Sequence, residues 1–270
     1  MGKAVLMGTT GAVAALAMLA VGYAAGVPQQ AKAASEVVKV ASADSNATGT
    51  LDRAAVESIV RDYLLKNPEL LLEVQDALEA KQKEEQRVAH ENVIRDQKDD
   101  IFNSTFDGVV GNPKGKITIV EFYDYNCGFC KRAIEDMQAL TNADPDLRFV
   151  LKEFPILSPD SHKASIVSMA FHKMMPEKYA EFHTALLGGE GRATEARALK
   201  IALSLGADEA TLRQHMQDPD IPAALEKTYD LANKLTITGT PSYVVGNQVI
   251  FGALGQKVLA EKIEDAKASL

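Results

Sequence analysis

Cysteine is nearly absent from this chain. Its only two, among 270 residues, stand in Cys127-Gly128-Phe129-Cys130, so neither sulfur has another partner within the chain. A structural zinc site needs four ligands, and two sulfurs with the scattered His90, His162, His172, His183 and His215 do not supply one. No metal or other cofactor is expected to be required, and the histidines read as solvated or core-edge residues. Basic charge is also in deficit. Lys and Arg number 29 against 37 Asp and Glu, and without Lys3 and Lys32 the balance is 27 − 37 = −10. Nucleic acid is not an expected partner.

What the chain does have is concentrated around the two sulfurs. The β-rich run Ile117-Thr118-Ile119-Val120-Glu121-Phe122-Tyr123 precedes the motif, and the helix-like run Lys131 to Leu140 follows it. Cys127 is thereby placed at a helix N-terminus, where free N–H groups and the helix dipole favour thiolate over thiol. A fall in pKa from about 8.5 to about 5 would take the thiolate at pH 7 from a minor species to nearly all. Cys130, one turn on, is expected to be the shielded resolving thiol. A structural disulfide across so short a loop would contribute only roughly 2 kcal/mol. A two-coordinate Cu(I) site remains chemically open to paired thiolates.

The N-terminus addresses the compartment. Met1-Gly2-Lys3 is a short positive start, Ala4 to Val27 carries no charge, and Ala31-Lys32-Ala33 has the A-x-A form of a cleavage site. Residues 1–33 are read as a secretory signal, with an uncleaved anchor as the alternative. Lys267-Ala268-Ser269-Leu270 is not a K-D-E-L-type retrieval signal, so a bacterial periplasm is the expected address. There a disulfide persists, and a reduced dithiol must be maintained by a dedicated partner.

Residues 34–50, rich in Ala, Ser and Thr, read as a linker. A helical region spans 51–105. Asp52 caps its first helix, and Asn67-Pro68-Glu69 supplies N-cap, N1 proline and first-turn acid for a second running from Pro68 to about Asn103. Val56, Ile59, Val60, Tyr63, Leu64, Leu71, Val74 and Leu78 form an apolar face that a lone helix pair cannot bury. Association with other copies is expected, with Lys81 to Asp100 as a solvated stalk; folding back on the main domain is the alternative. From residue 106 the order is strand, helix from Cys127, strand 147–154, a helical insert over about 158–235, a hairpin around Gly246-Asn247, and a final helix. That is the order of an α/β thioredoxin fold with an inserted helical domain.

Gly239-Thr240-Pro241 stands directly before a strand, and in thioredoxin-like folds such a proline is cis and faces the dithiol. The alternative is an ordinary trans proline opening an edge strand. Glu121-Phe122-Tyr123-Asp124-Tyr125-Asn126-Cys127-Gly128-Phe129-Cys130-Lys131, the Lys152-Glu153-Phe154-Pro155-Ile156-Leu157 segment and Thr240-Pro241 together resemble the DsbA-like thioredoxin family over about residues 110–270. With the exported helical extension, the chain looks similar to the suppressor-of-copper-sensitivity protein C (ScsC) group, whose members include trimeric disulfide isomerases.

The resemblance implies that Cys127 attacks, Cys130 resolves, and Thr240-Pro241 faces the substrate. It also implies a buried acid at Glu121 that relays the proton of Cys130, with Lys152 as its expected partner; a surface carboxylate is the alternative. Gly128-Phe129 departs from the Pro-His dipeptide of the strongly oxidising members and removes one source of thiolate stabilisation. The implied activity is that of a periplasmic disulfide isomerase or reductase, a homotrimer acting on misfolded or copper-oxidised proteins and recycled by a membrane-bound thiol reductase. A monomeric dithiol oxidase and a Cu(I)-binding copper-tolerance protein are the alternatives.

Overall fold

The structure, a computed structural model, describes residues 52–268. The expected signal (1–33) and linker (34–50) lie outside the described residues. A division between Arg61 and Asp62 separates the start of the chain from the main unit.

Helix α1 spans Arg53–Lys66, with Ala54 N–H donating to Asp52 Oδ1 at 3.3 Å. The Asn67 amide donates back to the Tyr63 carbonyl at 2.8 Å, so Asn67 closes α1 rather than capping its successor by its side chain. Helix α2 runs Leu70–Asp96, and the chain turns at Gln97 into the short α3, Lys98–Phe102. The long helix expected as far as Asn103 is thus two helices.

Five strands follow, β1 (Gly108–Gly111), β2 (Ile117–Tyr123), β3 (Leu147–Glu153), β4 (Ser242–Val245) and β5 (Gln248–Phe251), in spatial order β1-β3-β2-β4-β5. Only β2 and β3 are parallel, joined through α4 (Gly128–Ala143); the other pairs are antiparallel. Helices α5 (Pro159–Met174), α6 (Tyr179–Gly188), α7 (Glu195–Ser204), α8 (Glu209–His215) and α9 (Asp220–Lys234) form the insert, and α10 (Gln256–Lys267) is the last element of the described residues. The fold is thioredoxin-like of the DsbA kind. Strand β1 lacks a sequence signal because it is short and bounded by glycines. Gly108 is required there, since a Cβ would lie 1.7 Å from the Tyr179 ring.

Side chains alternate across the sheet and build two cores. Ile119, Tyr123, Phe149, Leu151 and Tyr243 face α4, the insert and α10. Val120, Phe122, Val150 and Val244 face the other way, onto Ile94 of α2, Ile101 of α3, Leu231 of α9 and Leu235 just after it. This second face corrects the solvated stalk over Lys81–Asp100. In α2 no residue before His90 is buried, but His90 and Ile94 are, and Ile101 in α3 is fully so. The sheet's second face would otherwise stay partly bare, and each buried aliphatic side chain is worth about 1.5 to 3 kcal/mol. Ile101→Ala is therefore expected to lower stability by about 2 to 4 kcal/mol in urea unfolding, as a full core deletion does.

Candidate active site

Cys127 sits where β2 ends and α4 begins. Its backbone is extended (φ −81°, ψ 114°) while Gly128 is already helical, which makes Cys127 the N-cap of α4, with its sulfur accepting from Cys130 N–H at 3.4 Å. The turn before it is fixed by Asp124, which is fully buried. Asp124 Oδ1 accepts from Asn126 N–H at 2.7 Å, Oδ2 from Leu157 N–H at 2.9 Å, and its carbonyl from Cys127 N–H at 3.0 Å. Asn126 ties the turn to the insert. Its amide donates to Ser161 Oγ and the Ala193 carbonyl, and its Oδ1 accepts from Ala193 N–H at 2.8 Å. Sequence reasoning gave neither residue a role; their place beside the dithiol motif was the available signal.

The Thr240–Pro241 peptide is cis, and the Thr240 carbonyl accepts from the Cys127 thiol at 3.1 Å. The proline loop thus lies against the attacking sulfur. Both cysteines are free thiols and both are buried, Cys127 to 6% exposure and Cys130 completely. A groove of about 330 Å³ opens beside Cys127, lined by Tyr125, Gly128, Lys131, Leu187 and Arg192 among others. Gly128 stands in open space, for a Cβ there would touch nothing within 4 Å. Phe129 is exposed, with the Arg132 guanidinium 4.3 Å above its ring.

Electrostatics separates the two thiols. The Cys130 thiol first, then Thr240 and the Cys130 and Phe129 N–H groups, pull Cys127 down to about 5, against the opposing effect of burial. Cys130 is pushed far up by burial, then by Cys127 and by Glu121. Glu121 is 3% exposed, and burial first, then Cys127 and Asp136, raises its carboxyl to about 8. Of the expected site residues, the structure brings Cys127, Cys130, Thr240, Pro241 and Glu121 together.

Lys152 is not among them. Its register partner on β2 is Phe122, whereas Glu121 is paired with Leu151, so Lys152 leaves the sheet on the opposite face from Glu121. It is buried in an ion pair with Asp107 Oδ2 at 2.6 Å and donates to the Asp100 carbonyl at 2.5 Å. His183 differs too. It is a core residue, held neutral by burial with its pKa down to about 3. Among the described residues no group of three or more His, Cys, Asp or Glu is placed to hold a metal ion.

A model of the DSBA-like thioredoxin domain matches residues 118–264. The chain belongs to the DSBA-like thioredoxin family. A second model, the copper resistance protein ScsC N-terminal domain, matches residues 52–85, which carry α1 and the start of α2. A thioredoxin-like oxidoreductase from Silicibacter pomeroyi is 39% identical, with TM-score 0.60, over 63% of this chain and 97% of its own. Proteus mirabilis ScsC in a compact conformation is 28% identical, with TM-score 0.55, over 74% of this chain and 98% of its own. Disulfide bond formation protein D of Bacillus subtilis is 25% identical over 58% of this chain and 75% of that protein. The chain spans only 25% of the length of two other curated relatives, Na(+)/H(+) antiporters of Salinispora tropica and Salinispora arenicola, at 23% and 25% identity over 60% of this chain. The chain thus has a thiol-disulfide oxidoreductase fold, with two free thiols at the start of α4.

Two outcomes are expected from these ionisations. Alkylation by iodoacetamide should follow a single titration near pH 5 assigned to Cys127, with Cys130 inert in the folded state by mass mapping. Glu121 is raised when folded, so the unfolded chain releases that proton first, and stability contributed by the neutral acid falls as pH rises from about 4.5 to about 8. Glu121→Gln should flatten that decline in urea unfolding measured across pH 5 to 8.

Proposed function

We propose that this protein is a periplasmic disulfide isomerase or reductase that works as a homotrimer. The observation that carries the chemistry is the asymmetry of the dithiol, with Cys127 capping α4 beside Thr240 and its ionisation favoured, and Cys130 buried beneath it with its ionisation suppressed. Cys127 attacks a substrate disulfide and forms a mixed disulfide. A substrate thiol then displaces Cys127, which completes isomerisation, or Cys130 displaces the substrate, which completes reduction. Extended substrate backbone lies along the Thr240-Pro241 loop, in the manner of an added strand.

Self-association is supported by the helices before the domain. Ile59, Val60, Tyr63, Leu65, Leu71, Leu72, Val74 and Leu78 are all more than half exposed in the single chain. Several dithiols held around one space suit an isomerase, since a misfolded chain stays captured while it is attacked repeatedly. The same crowding hinders a membrane oxidase, so the dithiol is kept reduced by a membrane-bound thiol reductase. Periplasmic residence is supported by the uncharged run Ala4 to Val27 and the Ala31-Lys32-Ala33 site. The similarity of residues 52–85 to a copper resistance family's N-terminal domain makes proteins oxidised by copper the preferred substrate class.

Light scattering on the mature protein should give three copies; a monomer would move the reading to a dithiol oxidase. Cys127→Ser is expected to abolish refolding of a scrambled disulfide protein, and Cys130→Ser to accumulate mixed disulfides. A truncation that tests the oligomer must spare Ile94 and Ile101. Removal of residues 34–80 should leave a folded monomer that reduces small disulfides but has lost isomerase activity.

A further inference from the structure

The phenol of Tyr243 has no part in the chemistry described so far. The residue is 1% exposed, and its hydroxyl is buried with no hydrogen-bond partner among the described residues. A hydroxyl in that state forfeits its hydration for nothing, and phenylalanine would fill the same space without that loss. Strand register says what the hydroxyl is near. Tyr243 on β4 stands directly opposite Glu121 on β2, and opposed residues of an antiparallel pair project on one face with Cβ atoms about 5 Å apart. This is the face covered by α4 with Cys127 and Cys130. Burial first, then Glu121, Cys130, Asp136 and Cys127, pushes the phenol's ionisation upward, so it remains a neutral donor.

We propose that Tyr243 is a positioning residue for the proton acceptor Glu121, its hydroxyl donating to the Glu121 carboxylate once Cys127 is tied up in a mixed disulfide. In the free dithiol the Cys127 thiolate helps to keep Glu121 protonated. Formation of the mixed disulfide removes that charge, and Glu121 ionises beside the still protonated Cys130. The Cys130 S–H bond then breaks, its proton passes to Glu121, and the sulfur's electron pair forms the Cys127–Cys130 bond. The bond from Cys127 to substrate breaks, and its electron pair leaves on the substrate sulfur as a thiolate that takes a proton from water. The substrate disulfide is reduced by two electrons and the dithiol is oxidised by two.

The ionisable groups facing Glu121 are Cys127, Cys130 and Asp136 from α4 and Tyr243 from β4. Strand β3 presents Leu151, and α10 buries only Leu259 and Ile263. Apart from Cys130, whose proton is the one transferred, Tyr243 is therefore the neutral donor among them.

The inference rests on the thiol-disulfide reading above, and Tyr243→Phe in the full mature chain tests it by two measurements. In a Cys130→Ala background with Cys127 blocked by methyl methanethiosulfonate, carbon-13 titration of Glu121 should shift upward by about one pH unit. In the protein with both cysteines, resolution of the mixed disulfide formed with oxidised glutathione should slow about tenfold at pH 6 and recover as pH rises, because one unit is one decade of ionised acid. The effect should vanish in a Glu121→Gln background. An unchanged Glu121 titration, or an equal slowing with Glu121→Gln, would overturn the proposal. Should the wild type form no mixed disulfide at all, the functional reading fails, while the carboxyl titration still decides the role of Tyr243.

Discussion

Two acidic groups share the buried space at the end of β2, and low polarity there disfavours their being charged together. Cys127 has N–H donors and a helix N-terminus on its side, so it takes the charge and Glu121 keeps its proton. Much of the local architecture follows from this contest. The Asp124 turn delivers Cys127 to the cap position, the sheet holds Glu121 beneath it, and the Thr240 loop closes the site from the side. Cys130 completes the arrangement by lying deeper than its neighbour, where its own ionisation is suppressed. A site with two equally exposed thiols would have no preferred attacking atom.

The second face of the sheet is held to a different standard. It contains an unusual polar element, the buried pair of Lys152 with Asp107, in which burial raises Asp107 to about 6 despite the adjacent ammonium. Removing one partner of such a pair is strongly destabilising because the other is left charged and dry. Around it, Ile94, Ile101 and Leu231 pack as an ordinary apolar layer. The helices before the domain are therefore two things in one stretch of chain. Their early part offers an uncovered apolar surface, and their last turns are core.

Local chemistry was legible in the sequence, and pairing between distant segments was not. The dithiol, the helix it opens and the Thr240-Pro241 loop each declare themselves within a few residues, because caps, turns and prolines act at short range. The burial of Glu121 was expected from the apolar run around it together with the family resemblance. Lys152 was misassigned because its face depends on a parallel register across nearly thirty residues, and a single step in that register reverses the side. Ile94 and Ile101 lay hidden in a charged stretch whose period looked unsuited to burial. Tyr243 read as a plain strand residue, since nothing local reveals that its neighbour across the ladder is an acid.

Helix α2 is unbroken from Leu71, through the exposed Leu78, to Ile94 on the sheet. Chain length along that helix is therefore also an angle. Each residue turns an α-helix by about 100°, so one residue inserted between Glu79 and Ala89 would swing the Leu71–Leu78 face by about a quarter turn relative to Cys127. A seven-residue insertion would nearly restore the heading while moving that face about 10 Å further from the sheet. The direction in which the dithiol points, seen from whatever grips that face, is thus set by a residue count. Natural variation in the length of this segment would redirect the active site without altering a single atom of it.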